Sequence, residues 1–389
     1  MGNITGQERE ADYVLNCFQG RPESRFRTQI TVIAAMLEGQ NSKRKVPIMA
    51  QSKSKLLAFT ALTMLLITSA AQSAPGYKTS ILEVKHRQQP LPIHIWYPAN
   101  DGGVKSMLGK NAVFKGVEVQ RGAPPKMGAH PLILLSHGSG GNAANLGWIA
   151  AKLADEGAIV VSTNHPGTTS RDSFPRETIK IWQRTKDFTA ILDFMQNDKT
   201  LGLTVDGSKI GAVGFSLGGY TVLGLAGARV IKQKFIDYCN QFSGLLDCAW
   251  IQKGVDLNDI DADKFEQSNI DPRIAAVVAV DPALAQAYQL ESLRKIAKPV
   301  LLINLGEANT VPAGINGRNI IKHLPNATYR TVKGATHFSF LGECSPRGME
   351  IIKSEGDEPI CSEVSNRSRG ELHKEIGSLI VEYMKKQLF

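Results

Sequence analysis

The sequence predicts an α/β fold with a mostly parallel central sheet and helices on both faces. Three observations carry that expectation. Short, unbroken apolar runs rich in β-branched residues recur along the chain, as buried parallel strands require. Segments with the helical period lie between them. The two kinds of segment alternate throughout, which favours crossover connections and a parallel sheet.

The elements follow in order. Leu91–Tyr97 alternates apolar and polar residues, as an early, half-exposed strand does. Residues 131–136 form a buried strand that runs into a glycine-rich turn, with a helical stretch over 143–156. Residues 158–162 are the next strand. A long helix is expected over 177–197, with Ile181, Phe188, Ile191, Leu192 and Met195 on one face. Asp206, Gly207 and Ser208 turn into the strand 209–215, and a glycine-rich helix begins at Leu217. Residues 274–280 and 299–305 are two more buried strands, and 329–332 the last. Leu372, Ile376, Leu379, Ile380, Tyr383 and Met384 mark an amphipathic closing helix. Residues 229–272 break the rhythm. They are expected to be an inserted lid over the C-terminal edge of the sheet, where open α/β folds bind ligands. Residues 75–389 then make one domain.

Bulk properties narrow the class. Of 389 residues, 42% are hydrophobic and 21% charged, ordinary for a globular chain with a sizeable core. The net charge is +9, but residues 1–74 hold 9 basic and 5 acidic side chains. The rest keeps 36 basic against 31 acidic, an excess of +5. No block of Lys and Arg is interleaved with aromatics, so no nucleic-acid partner is expected.

The N-terminal region reads as a targeting segment. Lys53 and Lys55 precede the apolar run 56–67, and small residues follow to Ala74. A basic start, a short apolar centre and a small-residue exit describe a secretory signal over 49–74. The apolar run falls short of the roughly 20 residues needed to span a bilayer, so no stable anchor is expected after processing. Met49 is a natural signal start, and residues 1–48 are read as an extension ahead of the true one. Export agrees with the cysteines. Cys239, Cys248, Cys344 and Cys361 allow three pairings, and the local one is favoured because each local pair brackets one irregular polar segment. No Cys-x-x-Cys or His-Glu-x-x-His spacing occurs, so no metal is expected, and the serine chemistry read below needs no cofactor.

Chemistry concentrates at strand ends. Gly214, Phe215, Ser216, Leu217 and Gly218 match Gly-x-Ser-x-Gly, with an apolar strand entering and a small-residue helix leaving. Ser216 is the candidate nucleophile, and Gly214 and Gly218 leave room for so tight a turn. The stretch from His137 to Gly141 follows an earlier strand. It offers a backbone N–H for a developing oxyanion from Ser139, with a second from Leu217. His137 is read as orienting that loop. His337, after the last strand, stands where the base is expected in chain order. For the acid, the Gly-x-x-Asp pattern after the strand 299–305 reads Gly306, Glu307, Ala308, Asn309, an amide where the carboxylate is expected. Asp281, at the end of the preceding buried strand, is the first candidate, and Glu307 the alternative.

The segments LPIHIWYPA, PLILLSHGSGG, STNHPGT, GFSLGG, AVDPAL and GATHFSFLGEC occur in this order. The chain so read resembles the bacterial predicted dienelactone hydrolases and the platelet-activating-factor acetylhydrolases, over most of residues 77–389. The resemblance implies an α/β-hydrolase fold and a serine esterase acting on a small ester or lipid-like substrate. It also implies the acid at Asp281, since that family carries it after the sixth strand. True dienelactone hydrolases use a cysteine nucleophile, so the departure at Ser216 argues against a literal lactonase. A peptidase or amidase on the same residues, or a binding protein on a hydrolase scaffold, are the other readings. Oligomeric state is not legible.

Overall fold

The computed structural model describes residues 74–307, 309–355 and 358–389. The expected signal segment at 49–74, Ala74 apart, and the extension at 1–48 lie outside the described residues. The strands are β1 Gly76–Leu82, β2 Leu91–Tyr97, β3 Val104–Leu108, β4 Val117–Arg121, β5 Ala129–Ser136, β6 Ile159–Thr163, β7 Thr168–Thr169, β8 Asp172–Ser173, β9 Thr204–Phe215, β10 Ala276–Val280, β11 Val300–Leu305 and β12 Ala327–Val332. β7 and β8 pair as a small ribbon, and the others form one sheet in the order β12-β11-β10-β9-β5-β6-β2-β1-β4-β3. The six strands from β12 to β6 are parallel.

The apolar runs form the parallel strands because both of their faces are covered. Every residue of β6, β10 and β11 is buried. Successive side chains point to opposite faces, and in β5 Leu132 and Leu134 join one core while Ile133 and Leu135 join the other. The helices Ile181–Asn197 and Leu217–Ala226 cover the first face through Phe188, Ile191, Leu192, Val222 and Leu223. Gly147–Asp155 and Arg369–Leu388 cover the second, through Ile149, Leu153, Leu372, Ile376, Ile380 and Met384. Ser368 and Glu371 close a capping box at the start of Arg369–Leu388, which satisfies N–H groups that no helical carbonyl can reach.

Several features differ from the sequence expectation. The turn expected at Asp206, Gly207 and Ser208 lies inside β9, which already pairs with β5 from Thr204 through a register irregularity, and the β7–β8 ribbon was not expected. β1, β3 and β4 extend the sheet at a mixed edge, where β1 runs antiparallel to β2 and parallel to β4, and β3 antiparallel to β4. They bury only part of one face, so their sequences lack a continuous apolar run. The helix expected over 177–197 is also broken, into Pro175–Thr178 and Ile181–Asn197. Ile179 and Ile181 both turn into the core. Two residues apart on a continuous helix they would point about 200° apart, so the break at Lys180 lets both be buried.

The chain leaves β5 toward β6 on one side and returns to β9 on the other. This is the topological switch point, where a crevice opens between adjacent strand ends. Within 229–272 lie the helices Lys232–Gln241, Leu246–Gln252 and Ala262–Phe265. Cys239 and Cys248 join the first two of these helices, and Cys344 pairs with Cys361, which is the local pairing. No helix among the described residues is long and apolar enough to cross a membrane.

Candidate active site

The end of β9 turns directly into the helix Leu217–Ala226, with Ser216 between them at φ 56°, ψ −120°. A non-glycine residue rarely holds a positive φ, so neighbouring structure must impose it. The Ser216 N–H donates to the Val280 carbonyl (2.9 Å), and its own carbonyl accepts from Gly219 (2.8 Å) and Ala283 (3.0 Å). Space explains the flanking glycines. A β-carbon on Gly214 would sit 2.0 Å from the Gly218 carbonyl oxygen, and one on Gly218 2.1 Å from that of Ser136.

His337 begins the short 3-10 helix His337–Phe340 after β12, fixed by a capping box between Thr336 and Ser339. Its Nε2 lies 3.2 Å from Ser216 Oγ and its Nδ1 2.9 Å from Asp281 Oδ2. A carboxylate can only accept, so Nδ1 carries the proton and Nε2 is free to accept from the serine. Asp281 is fully buried at the end of β10, with φ 44°. Its other oxygen accepts from Asn304 Nδ2 (2.7 Å) and the Leu305 N–H (2.9 Å). Asn304 is itself saturated, donating also to the Ile315 carbonyl and accepting from Gly317 and Tyr329. Glu307 is exposed, and both ring nitrogens of His337 are already engaged by Ser216 and Asp281.

A ferulic acid esterase from Streptomyces cinnamoneus superposes with a TM-score of 0.57, covering 82% of this chain and 91% of that one at 18% identity. The fold is that of the α/β-hydrolases. A dienelactone hydrolase from Anabaena variabilis is similar at a TM-score of 0.45 and 14% identity, covering 81% of this chain and 99% of that one. Residues 144–234, which contain Ser216, match the Prolyl oligopeptidase family. No curated protein matches the sequence.

In this α/β-hydrolase fold the loop after β5 borders the serine. A β-carbon on Gly138 would lie 2.9 Å from Ser216 Cβ. The Gly138 carbonyl accepts from His137 Nδ1 (2.7 Å) and from the Gly141 N–H (3.2 Å). Across a trans peptide the N–H points opposite to the carbonyl, so these bonds turn the Ser139 N–H away from the His137 ring. Leu217 opens the elbow helix, where the first N–H groups have no intrahelical acceptor.

A buried polar cluster beneath this loop was missed from the sequence. Asp187 accepts from Arg87 through both oxygens (2.9 and 2.6 Å), from His86 (2.7 Å) and from His165 Nδ1 (2.8 Å). Burial alone would raise its carboxyl, but these donors hold it well below the usual carboxylate range. His165 is pushed down to about 3 by burial and by Arg184, against the pull of Asp187, so it is a neutral ring donating to a carboxylate. His137 is likewise held neutral by burial and Arg184. Its Nε2 accepts from the His165 N–H (3.1 Å). Arg184 and Asp187, two charged residues three positions apart among the apolar positions of the helix, are the one local sign in the sequence, and it names none of their partners.

The 229–272 segment touches the loops on both sides of β9. Trp250 Nε1 donates to Thr178 Oγ1 (3.4 Å) and Arg176 to the Gly254 carbonyl (3.2 Å), both beyond β6. Beyond β11, a β-carbon on Gly314 would lie 2.3 Å from the Tyr238 hydroxyl. That hydroxyl donates to Asp247 (3.0 Å).

Proposed function

We propose that this chain is an exported serine hydrolase that cleaves carboxylic esters through an acyl-serine intermediate. The observation that carries the reading is the unbroken row from Asp281 through His337 to Ser216, with the serine on a strained turn at the switch point. His337 Nε2 takes the serine proton as Oγ attacks the ester carbonyl, and Asp281 keeps the proton on Nδ1 and stabilises the imidazolium. The carbonyl oxygen becomes an oxyanion facing the N–H groups of Ser139 and Leu217. Losing one such donor costs about 2.7–4 kcal/mol in the barrier. His337 then protonates the leaving alcohol. Water, deprotonated by the same ring, releases the acid from the acyl-serine.

The ester preference rests on the ordered motifs shared with the dienelactone and acetylhydrolase-like proteins. The match of residues 144–234 to the Prolyl oligopeptidase family favours a second reading, in which the same row cleaves amides. Hydrolysis of p-nitrophenyl acetate, butyrate and octanoate, set beside aminoacyl p-nitroanilides, separates the two. Ester turnover lost in Ser216→Ala supports the first reading, and anilide turnover alone replaces it with the second. A folded chain that does neither and does not label with a fluorophosphonate is a binding protein.

Export is supported by the two disulfides, which persist in oxidising compartments. N-terminal sequencing of the mature protein should begin near residue 75. A mature chain that keeps residues before 49 would refute both the signal and the proposed start. We read 229–272 as a lid, on its contacts with the loops beyond β6 and β11.

A further inference from the structure

Arg184 is a cation in an unusual place. It is 1% exposed, on the buried face of the helix Ile181–Asn197. The four groups that accept its hydrogen bonds are all neutral. Nη2 donates to the His137 carbonyl and to Ser136 Oγ (3.3 Å), Nη1 to Thr168 Oγ1 (2.6 Å), and Nε to Thr221 Oγ1 (3.2 Å). The nearby carboxylate of Asp187 is taken up by Arg87, His86 and His165. Burial lowers the guanidinium to about 9, so it remains charged at neutral pH.

Those acceptors lead to both halves of the oxyanion site. The His137 carbonyl and Ser136 lie at the root of the loop that presents Ser139. The Thr168 carbonyl accepts from the Gly140 N–H (2.9 Å), on the far side of the same loop. The Thr221 hydroxyl in turn donates a hydrogen bond to the Leu217 carbonyl (3.0 Å), in the first turn of the elbow helix. One planar, forked donor thus grips the two segments whose relative position sets the hole. Lysine, a single point donor, cannot reproduce that geometry.

We propose that Arg184 is a positioning residue for the oxyanion hole, tying its two N–H donors together and placing a buried positive charge beneath them. The proposal rests on the serine-hydrolase reading above. Its signature is a loss in turnover with little change in substrate binding, because the hole gains most of its interaction as charge develops.

The test compares wild type, Arg184→Lys, Arg184→Met and Thr221→Val, each checked for folding by thermal melt. Measured for each are kcat and KM on p-nitrophenyl butyrate and on its thionoester, whose sulfur accepts hydrogen bonds weakly. Arg184→Met should lower kcat roughly 100-fold with KM nearly unchanged, and should shrink the oxoester-to-thionoester ratio. Arg184→Lys should recover part of both, and Thr221→Val should lose several-fold in kcat with a smaller ratio. Folded Arg184 variants with wild-type kcat and ratio overturn the proposal. If Arg184→Met does not fold, an unchanged ratio in Thr221→Val overturns it. A wild type that neither hydrolyses esters nor labels with a fluorophosphonate removes the underlying reading instead.

Discussion

Asp281 is held so that one carboxylate oxygen is left for His337. Oδ1 is filled by Asn304 and the Leu305 N–H, and Oδ2 faces the imidazole. Asp281→Asn would favour the wrong imidazole tautomer, and kcat should fall on the order of 10⁴-fold. Near-normal ester turnover in that variant would move the acid to Glu307. Steric fit makes a second prediction. Gly218→Ala must displace the Ser136 carbonyl that its β-carbon would meet, and such overpacking costs about 1–3 kcal/mol or more. A lowered Tm with lowered activity is expected, and an unchanged Tm would mean the elbow yields without cost. The serine and histidine were legible because their signals are local: a pentapeptide between strand and helix, and a histidine after the last strand. Arg184 and Asp187 were not, because their partners are remote. Arg87 stands a hundred positions before Asp187, and no local pattern announces that pairing.

At the scale of elements, the helix that carries His337 is braced from behind. The Ser339 hydroxyl donates to Glu363, and Arg369 holds that carboxylate from the start of the closing helix. The His373 ring stacks on Trp148 at 3.8 Å and donates to the Ser339 and Leu341 carbonyls. Cys361, two residues before Glu363, is tied to Cys344, closing a loop with a sequence separation of 17. Replacing both cysteines by alanine should cost about 3 kcal/mol in stability, by the loop-closure estimate. Denaturant melts of this double variant beside the wild type, both without reductant, check the size of the effect, and equal midpoints would show that the bridge constrains nothing. The strands that were legible are the continuous apolar runs of β5, β6, β9, β10 and β11, with the alternating β2 and the end of β12. β1, β3 and β4 were not, since a strand at the rim needs only alternate contacts, and alternation over five to seven residues is easily lost among polar ones.

Across the whole molecule, four imidazoles are held neutral by burial. His94 and His373 are lowered to about 4 and His165 to about 3, with His137 lowered as well. In the unfolded chain each titrates near 6.5, so as pH falls below that value the unfolded state binds protons that the folded state refuses. Stability therefore declines on acidification, by about 1.4 kcal/mol per pH unit for each ring. The Asp155 carboxyl, raised to about 6 chiefly by burial, acts in the opposite sense and offsets one ring below its own titration. Urea melts at pH 7 and pH 5 should differ on the order of 5 kcal/mol. Equal stabilities would mean that these rings accept protons within the fold. The 229–272 segment has a consequence of a different kind. The Ile231 N–H bonds the Ala287 carbonyl at one of its ends and the Asp271 N–H bonds the Leu225 carbonyl at the other, so both ends are fastened to the body by main-chain bonds. Main-chain bonds ignore side-chain identity, so the fastening survives substitution, and the exposed positions of the segment can vary while Phe235, Tyr238, Cys239, Ile251 and Phe265 stay built into the core. Its outer surface is thus open to change, by evolution or by a protein engineer, while its inner face remains part of the molecule's core.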